Sequence, residues 1–520
     1  MHEVFRKYGA DCTVALVNGS LTQFSLFTSM PISKRRISIT DLRHHLRQHV
    51  FVCDDTSESK KVGLEVELIP LFLDLTQDKA TVVPFTQPAD SRGCSVLSTL
   101  DRLAEQGDDL VLKHTPEGSL VYKKADGGLI TFEPGGQVEY SCAPRNTAAA
   151  AFEDVEKFIR QLEAVAQGSE LCFLTTGINP WHTVEDIGLQ VDKPRYAAMD
   201  EYFASIGPYG RRMMRQTCSI QINVDMGDTH RTPLRWKATN LLAPVLTGLF
   251  ANSPVADGRP TGFRSFRSYV WQQTDTGRTG YPPGLLDATE HYDPVEQYLQ
   301  YALEARVMII CKSEVRFTPV VQVLSFRQWL KNGHPLGYPS LDDWDYHLST
   351  LFPDVRPRAF LEVRCIDGQT KPWRSVPVTL VTALLYDDWA LEKTIDILSP
   401  WQPRLPELSA RAALHATHDE ILGPLAQEIF RLVLDSLPRF PHTYLSESMR
   451  AAATAFYSRY VAQLRCPADE LYDVVAKEDG QRLLPSHYLQ VSHMQTEFDR
   501  TGERFARVSS DDVGKTPRSL

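Results

Sequence analysis

Gly63-Leu-Glu-Val-Glu-Leu-Ile69 is the stretch from which the rest of the chain can be read. Its apolar residues fall at every second place, so Leu64, Val66 and Leu68 point one way in a strand while Glu65 and Glu67 point the other. Three further segments share the pattern. In Leu129-Ile-Thr-Phe-Glu-Pro-Gly-Gly-Gln-Val-Glu-Tyr-Ser-Cys142, Gly135-Gly136 supply the turn of a hairpin. Its arms put Thr131 with Glu133 on one face, and Gln137 with Glu139 on one face. In Cys218-Ser-Ile-Gln-Ile-Asn-Val-Asp225, Gln221, Asn223 and Asp225 alternate with Ile220, Ile222 and Val224. In Phe360-Leu-Glu-Val-Arg-Cys365, Glu362 and Arg364 alternate with Leu361 and Val363.

Alternation alone describes any antiparallel sheet with one wet face. The content of the polar face is what distinguishes these strands. It carries carboxylates and amides with few lysines, and like charges facing one another across strands are destabilising unless something neutralises them. Glu65, Glu67, Glu133, Glu139 and Glu362 with Gln221 form a set of hard oxygen ligands suited to a divalent cation such as magnesium. Magnesium arrives with phosphates, which points to an enzyme that uses a nucleotide. No Gly-x-x-x-x-Gly-Lys-Ser/Thr loop occurs, so metals and arginines would have to hold ATP.

The chain around these strands is 520 residues long, 42% hydrophobic and 23% charged, which allows a large core. Mean hydropathy is -0.26, and no apolar run reaches the ~18 residues of a membrane span. Acidic residues outnumber basic ones by 65 to 55, a net charge of -10, so no general attraction to nucleic acid is expected. Nine cysteines without a Cys-x-x-Cys pair fit free thiols in a reducing cytoplasm. Residues 1–38 read as an extension, 39–500 as one catalytic domain and 501–520 as a polar tail. The basic stretch from Lys34 to His49 reads as a surface helix capped by Thr40 or Asp41, with an organelle transit peptide as the other reading. Helices are expected from Phe152 towards Gly168, from Trp236 to Phe250 with Pro244 as kink or boundary, and across Ile421–Val433.

Taken in order, Gly-Leu-Glu-Val-Glu, Phe-Glu-Pro-Gly-Gly-Gln-Val-Glu, Cys-Ser-Ile-Gln-Ile-Asn-Val-Asp and Phe352-Pro-Asp-Val-Arg-x-Arg-x-Phe-Leu-Glu-Val-Arg364 resemble the plant and bacterial second type of glutamate–cysteine ligase. Pro194-Arg-Tyr-x-x-Met-Asp-x-Tyr-Phe203, Leu249-Phe-Ala-Asn-Ser-Pro254 and Arg267-Ser-Tyr-Val-Trp-Gln-Gln support it, so the resemblance runs from about residue 60 to about residue 440. The first motif looks most like a bacterial branch that feeds ergothioneine as well as glutathione synthesis.

The resemblance implies an α+β fold, a glutamine-synthetase-like funnel of six mainly antiparallel strands with helices outside. It also implies ATP-dependent joining of L-glutamate to L-cysteine through γ-glutamyl phosphate. By motif position Glu65, Glu67, Glu133, Glu139, Gln221 and Glu362 are the expected metal ligands, with Glu133 and Arg364 at ATP. Arg364 is expected at the transferring phosphoryl group, and Arg267 at a substrate carboxylate or the acyl phosphate. Trp271 and Asn223 complete the expected substrate contacts. Another amine acceptor, or a guanidino-kinase-like phosphotransfer, are the rival readings. Plant enzymes carry arginine before Thr-Cys-Thr-Val-Gln-Val-Asn; here Gln216 holds that place and Arg215 precedes it, so that role is not transferred. His182 and His347 read as structural, and Cys142 and Cys218 as core thiols.

Overall fold

The alternating stretch lies in a strand of 13 residues, β1 (Val62–Asp74), buried along almost its whole length. The computed structural model describes residues 36–55, 60–86, 93–107, 110–115, 119–287, 293–313, 316–475 and 482–491. Apart from residues 36–38, the extension read over 1–38 lies outside the described residues, as does the tail 501–520.

After β1 come β2 (Lys79–Val82), β3 (Val111–His114), β4 (Leu120–Lys123), β5 (Leu129–Phe132), β6 (Val138–Ser141), β7 (Leu171–Leu174) and β8 (Ser219–Asp225). Two small hairpins follow, β9 (Val255–Ala256) with β10 (Arg259–Pro260), and β11 (Ile309–Ser313) with β12 (Arg316–Pro319). The last pair is β13 (Val355–Pro357) and β14 (Phe360–Asp367). The main sheet runs β13-β14-β8-β1-β6-β5-β4-β3, and the far half of β1 pairs instead with β2 and β7. Every one of these pairings is antiparallel. The class is the expected α+β with helices against an antiparallel sheet. The sheet is larger than six strands, having ten, and the run from β13 to β5 carries the motifs.

Strand β1 shows why the polar site stops where it does. On the face of Glu65 and Glu67, the next residues in step are Ile69, Leu71 and Leu73, which join a separate apolar cluster with Leu174, Cys218 and Tyr488. The opposite face, with Leu64, Val66 and Leu68, belongs to the main core, a continuous buried cluster running from Leu42 to Val461. Both faces of the strand are therefore covered, and only its first half presents carboxylates. Helices Ala148–Ala166, Arg231–Leu249 and Ser375–Tyr386 pack against β1, β14 and β8.

Local expectations hold with adjusted ends. The helix from Ala148 is capped by Thr147, the helix over Arg231–Leu249 keeps Pro244 inside it, and the third spans Leu422–Ser436. The basic stretch forms helix Ile39–His49, but its cap is Ser38 rather than Thr40 or Asp41. Ser38 accepts from the amide of Asp41 and the Asp41 carboxylate accepts in return, a capping box that the first-turn position of Asp41 makes possible. No described helix is long and apolar enough to cross a membrane.

The Gly135-Gly136 turn has two separate reasons. Gly136 adopts φ +87°, which an L side chain resists. Gly135 lies against the Arg215 backbone, where a Cβ would fall 2.2 Å from the carbonyl oxygen. Gly135→Ala is therefore expected to destabilise by about 1–3 kcal/mol, as overpacking does, and to displace the adjoining Glu133. A urea midpoint and the initial rate measure the two effects. An unchanged midpoint would show that the contact relaxes without cost.

Candidate active site

Register decides which polar residues meet. Glu65 stands opposite Gln221 on β8, and Glu67 opposite Glu139 on β6, which itself faces Thr131 on β5. The Thr131 hydroxyl donates to Glu139 at 2.6 Å, so the hairpin faces are as read from the alternation. Glu133 has left the strand and sits in the turn, whose amide at Gly136 donates to the Glu133 carbonyl at 2.9 Å. Glu65, Glu67, Glu133, Glu139 and Gln221 together form one wall of a pocket.

The same pocket also has cationic and aromatic lining, Arg267, Arg364 and Trp271. Their guanidinium carbons lie 5.1 and 5.8 Å from the Trp271 ring centroid, within cation–π range. The indole is fixed by donating to the Phe352 carbonyl at 2.7 Å. Arg267 is only 3% exposed, so a surface salt bridge is excluded. Its Nη2 donates to the Arg364 carbonyl at 2.7 Å, while its buried Nε has no partner among the described residues.

Two expected site residues do not line the pocket but contact residues that do. Glu362 is fully buried and is not on the pocket wall. Arg356, directly opposite on β13, grips it with two bonds of 2.5 and 3.1 Å, while Arg364 and Arg358 approach to 3.1 and 3.5 Å. Burial works against its charge, but the arginines Arg356, Arg364 and Arg358 outweigh it and hold the carboxyl well below the usual range. Asn223, expected at substrate, is also off the wall; its amide nitrogen donates to Glu65 at 2.6 Å. In both cases the side chain lies on the expected strand face, and a neighbour that alternation cannot reveal has claimed it.

The remaining contacts form a relay. Arg364 donates to the Gln221 oxygen at 2.8 Å, the Gln221 amide donates to Glu67 at 3.1 Å, and the Ser219 amide donates to the other Glu67 oxygen at 2.7 Å. Burial pushes the carboxyls of Glu65 and Glu67 upward, and Glu362 adds to the shift at Glu65. For Glu67, Arg267 is the largest opposing influence. Among the described residues, no three His, Cys, Asp or Glu side chains converge on one point as they stand. The wall nevertheless matches the chemistry of a hard cation. It presents oxygen acceptors, two of its carboxyls are held upward by burial, and the buried Gln137 Oε1 has no donor among the described residues.

Several residues of the site escaped the sequence reading. Arg356 reaches Glu362 through a three-residue strand too short to show periodicity. Arg195, Tyr196 and Met199 enter from helix Pro194–Ile206, and Met213 and Met214 from helix Tyr209–Gln216. The Pro-Arg-Tyr-x-x-Met spacing, read as one helical face, was the available signal. Tyr196 also ties that helix to the sheet by donating to the Phe132 carbonyl at 2.8 Å. Arg215 does not reach the pocket: it pairs with Asp200, and Gln216 donates to the His182 carbonyl at 2.6 Å. His347 is buried against the Ala302 carbonyl at 2.8 Å and burial pushes it down to about 3. His182 bonds Asn179 and the Ala80 carbonyl. Cys142 and Cys218 are buried, and the eight described cysteines are all free thiols.

A model of the glutamate-cysteine ligase family 2 matches residues 62–486. The chain belongs to this family. Its relatives include the chloroplastic glutamate–cysteine ligase of Arabidopsis thaliana, 35% identical over 374 residues, 68% of this chain and 67% of that one. The form A enzyme of Oryza sativa subsp. japonica is 32% identical over 396 residues, 74% of each chain. The tobacco enzyme is 34% identical over 322 residues, 60% of each. A solved glutamate–cysteine ligase from Francisella tularensis in complex with AMP aligns with TM-score 0.46 and 14% identity, covering 89% of this chain and 96% of that one.

Proposed function

We propose that the protein joins L-glutamate to L-cysteine with ATP, giving γ-glutamylcysteine, ADP and phosphate. The observation that carries this reading is the pocket of a family 2 chain lined by Arg267 and Arg364 together with four glutamates. One substrate is a dicarboxylate and the other a polyphosphate, and each needs fixed cations. A free carboxylate is a poor electrophile. Transfer of the γ-phosphoryl group to its oxygen breaks the bond to ADP and creates an acyl phosphate. The cysteine nitrogen then attacks the acyl carbon, the carbon–oxygen bond to phosphate breaks, and the amine gives up a proton.

Arg364 suits the transferring phosphoryl group, because its guanidinium already spans Glu362 and Gln221 and cannot swing away. Arg267 suits a substrate carboxylate, since its bare Nε and a fixed Nη2 orient the guanidinium fork. Trp271 lies within cation–π range of both guanidinium groups and lines the pocket. Glu65, Glu67, Glu133, Glu139 and Gln221 would hold magnesium, which when bound offsets the charge of the ATP phosphates. Glu362 acts behind the wall, fixing Arg364 and Arg356.

The test is an assay of purified protein with ATP, magnesium, glutamate and a panel of amines. Phosphate release is expected to require both glutamate and cysteine, with γ-glutamylcysteine as product. Sustained phosphate release without an amine, or about tenfold preference for another amine in kcat/KM, would sink the assignment.

A further inference from the structure

Behind Arg267, off the pocket wall, lies a carboxylate that the proposed reaction does not use. Asp367 closes β14 and is 2% exposed. Its Oδ2 accepts from the Asn252 amide at 2.8 Å and from the Ser253 hydroxyl at 2.6 Å. Its Oδ1 accepts from the Ser265 hydroxyl at 3.0 Å and stands 3.8 Å from Arg267 Nη1. The two serines are not passive. Ser253 Oγ accepts from the backbone amide of Arg267 at 3.1 Å. Ser265 caps helix Phe266–Thr274, which carries Arg267 and Trp271, by accepting from the Ser268 amide at 3.1 Å. Gly177 leaves the carboxylate its room, since a Cβ there would fall 2.4 Å from Asp367 Cγ.

One carboxylate thus grips the first turn of the helix and faces the guanidinium at its tip. The 3.8 Å separation orients Arg267 electrostatically without occupying it as a hydrogen bond would. We infer that Asp367 is a positioning residue for glutamate binding, holding the Arg267 guanidinium at the pocket through Ser253, Ser265 and a long ion pair. The inference rests on Arg267 receiving a glutamate carboxylate.

Asp367→Asn separates positioning from bulk packing. The fixed Asn252 amide requires an oxygen at the Oδ2 place, so the new amide nitrogen falls at the Oδ1 place. Ser265 can turn its hydroxyl to accept, but Arg267 has only donors and is pushed away. The expected result is a rise of about tenfold in KM for glutamate, with kcat and KM for ATP changed by less than about threefold. Arg267→Gln is expected to raise the same KM, and Asp367→Asn added to it should change KM less than about twofold further. If Arg267→Gln leaves the glutamate KM unchanged, the reading of the pocket fails. If Arg267→Gln raises it and Asp367→Asn does not, or the two effects multiply, the positioning role is wrong. Should Asp367→Asn not fold, Ser253→Ala removes no charge and only the two hydrogen bonds of the hydroxyl, to Asp367 and from the Arg267 amide. It is expected to raise the glutamate KM about threefold and to show the same non-additivity with Arg267→Gln. An unchanged KM in Ser253→Ala would equally overturn the inference.

Discussion

Glu362→Gln is expected to lose both stability and turnover. The substitution leaves the shape of the side chain but removes the charge that Arg356, Arg364 and Arg358 share. Breaking a buried ion pair from one side strands the other, at about 3–5 kcal/mol. Arg364 then loses one of its two anchors, Glu362, and keeps Gln221 alone. Turnover should fall on the order of 10²–10³-fold, the loss usual when a fixed transition-state donor is released. Urea unfolding and the initial rate of phosphate release read the two effects. A variant with normal stability and near-normal rate would mean that the arginines find other partners. The pH dependence has a definite sign. The folded carboxyl sits below its unfolded value, so its contribution is fully present above about pH 4.3. It is lost as pH falls below that value towards the lower folded one.

Glu65→Gln should separate the two quantities. Glu65 is buried on the pocket wall, and burial has pushed its carboxyl upward, so near neutral pH its charge is held at a cost to the fold. Glutamine keeps an oxygen for the Asn223 amide, which now donates at 2.6 Å. The melting temperature should stay the same or rise. Turnover should nevertheless fall on the order of 10²–10³-fold, with more magnesium needed for half-maximal rate, because a charged ligand has become a neutral one. Near-normal turnover at low magnesium would remove Glu65 from the cation site. Set side by side, the two variants distinguish a carboxylate that holds the protein together from one the protein tolerates for chemistry.

Much of the site is legible in the chain because the side-chain period of a strand is local. Leu64, Val66 and Leu68 against Glu65 and Glu67, and Glu139 against Val138 and Tyr140, follow from that period alone. The hairpin at Gly135-Gly136 was equally readable, since turn chemistry is local. What escaped came from short or helical elements. Arg356 lies in a three-residue strand, and Arg195, Met199, Met213 and Met214 reach the pocket from helices whose residues look like ordinary core or surface. The cap of helix Ile39–His49 was missed by two residues, because Ser38, Thr40 and Asp41 are all capping types and only the backbone shows which is extended.

The sequence by itself determined that carboxylates and apolar residues part to opposite faces of β1, β6, β8 and β14, and which family the chain belongs to. Only the tertiary structure decided which of those carboxylates meet the pocket and which meet arginine. Glu65 and Asn223 touch although 158 residues separate them, and Glu362 lies in a clamp because β13 folds back beside β14. The physical reason is that the direction of a side chain is set by its own backbone. Its partner is set by strand order and register, and these are fixed by burial of the whole core.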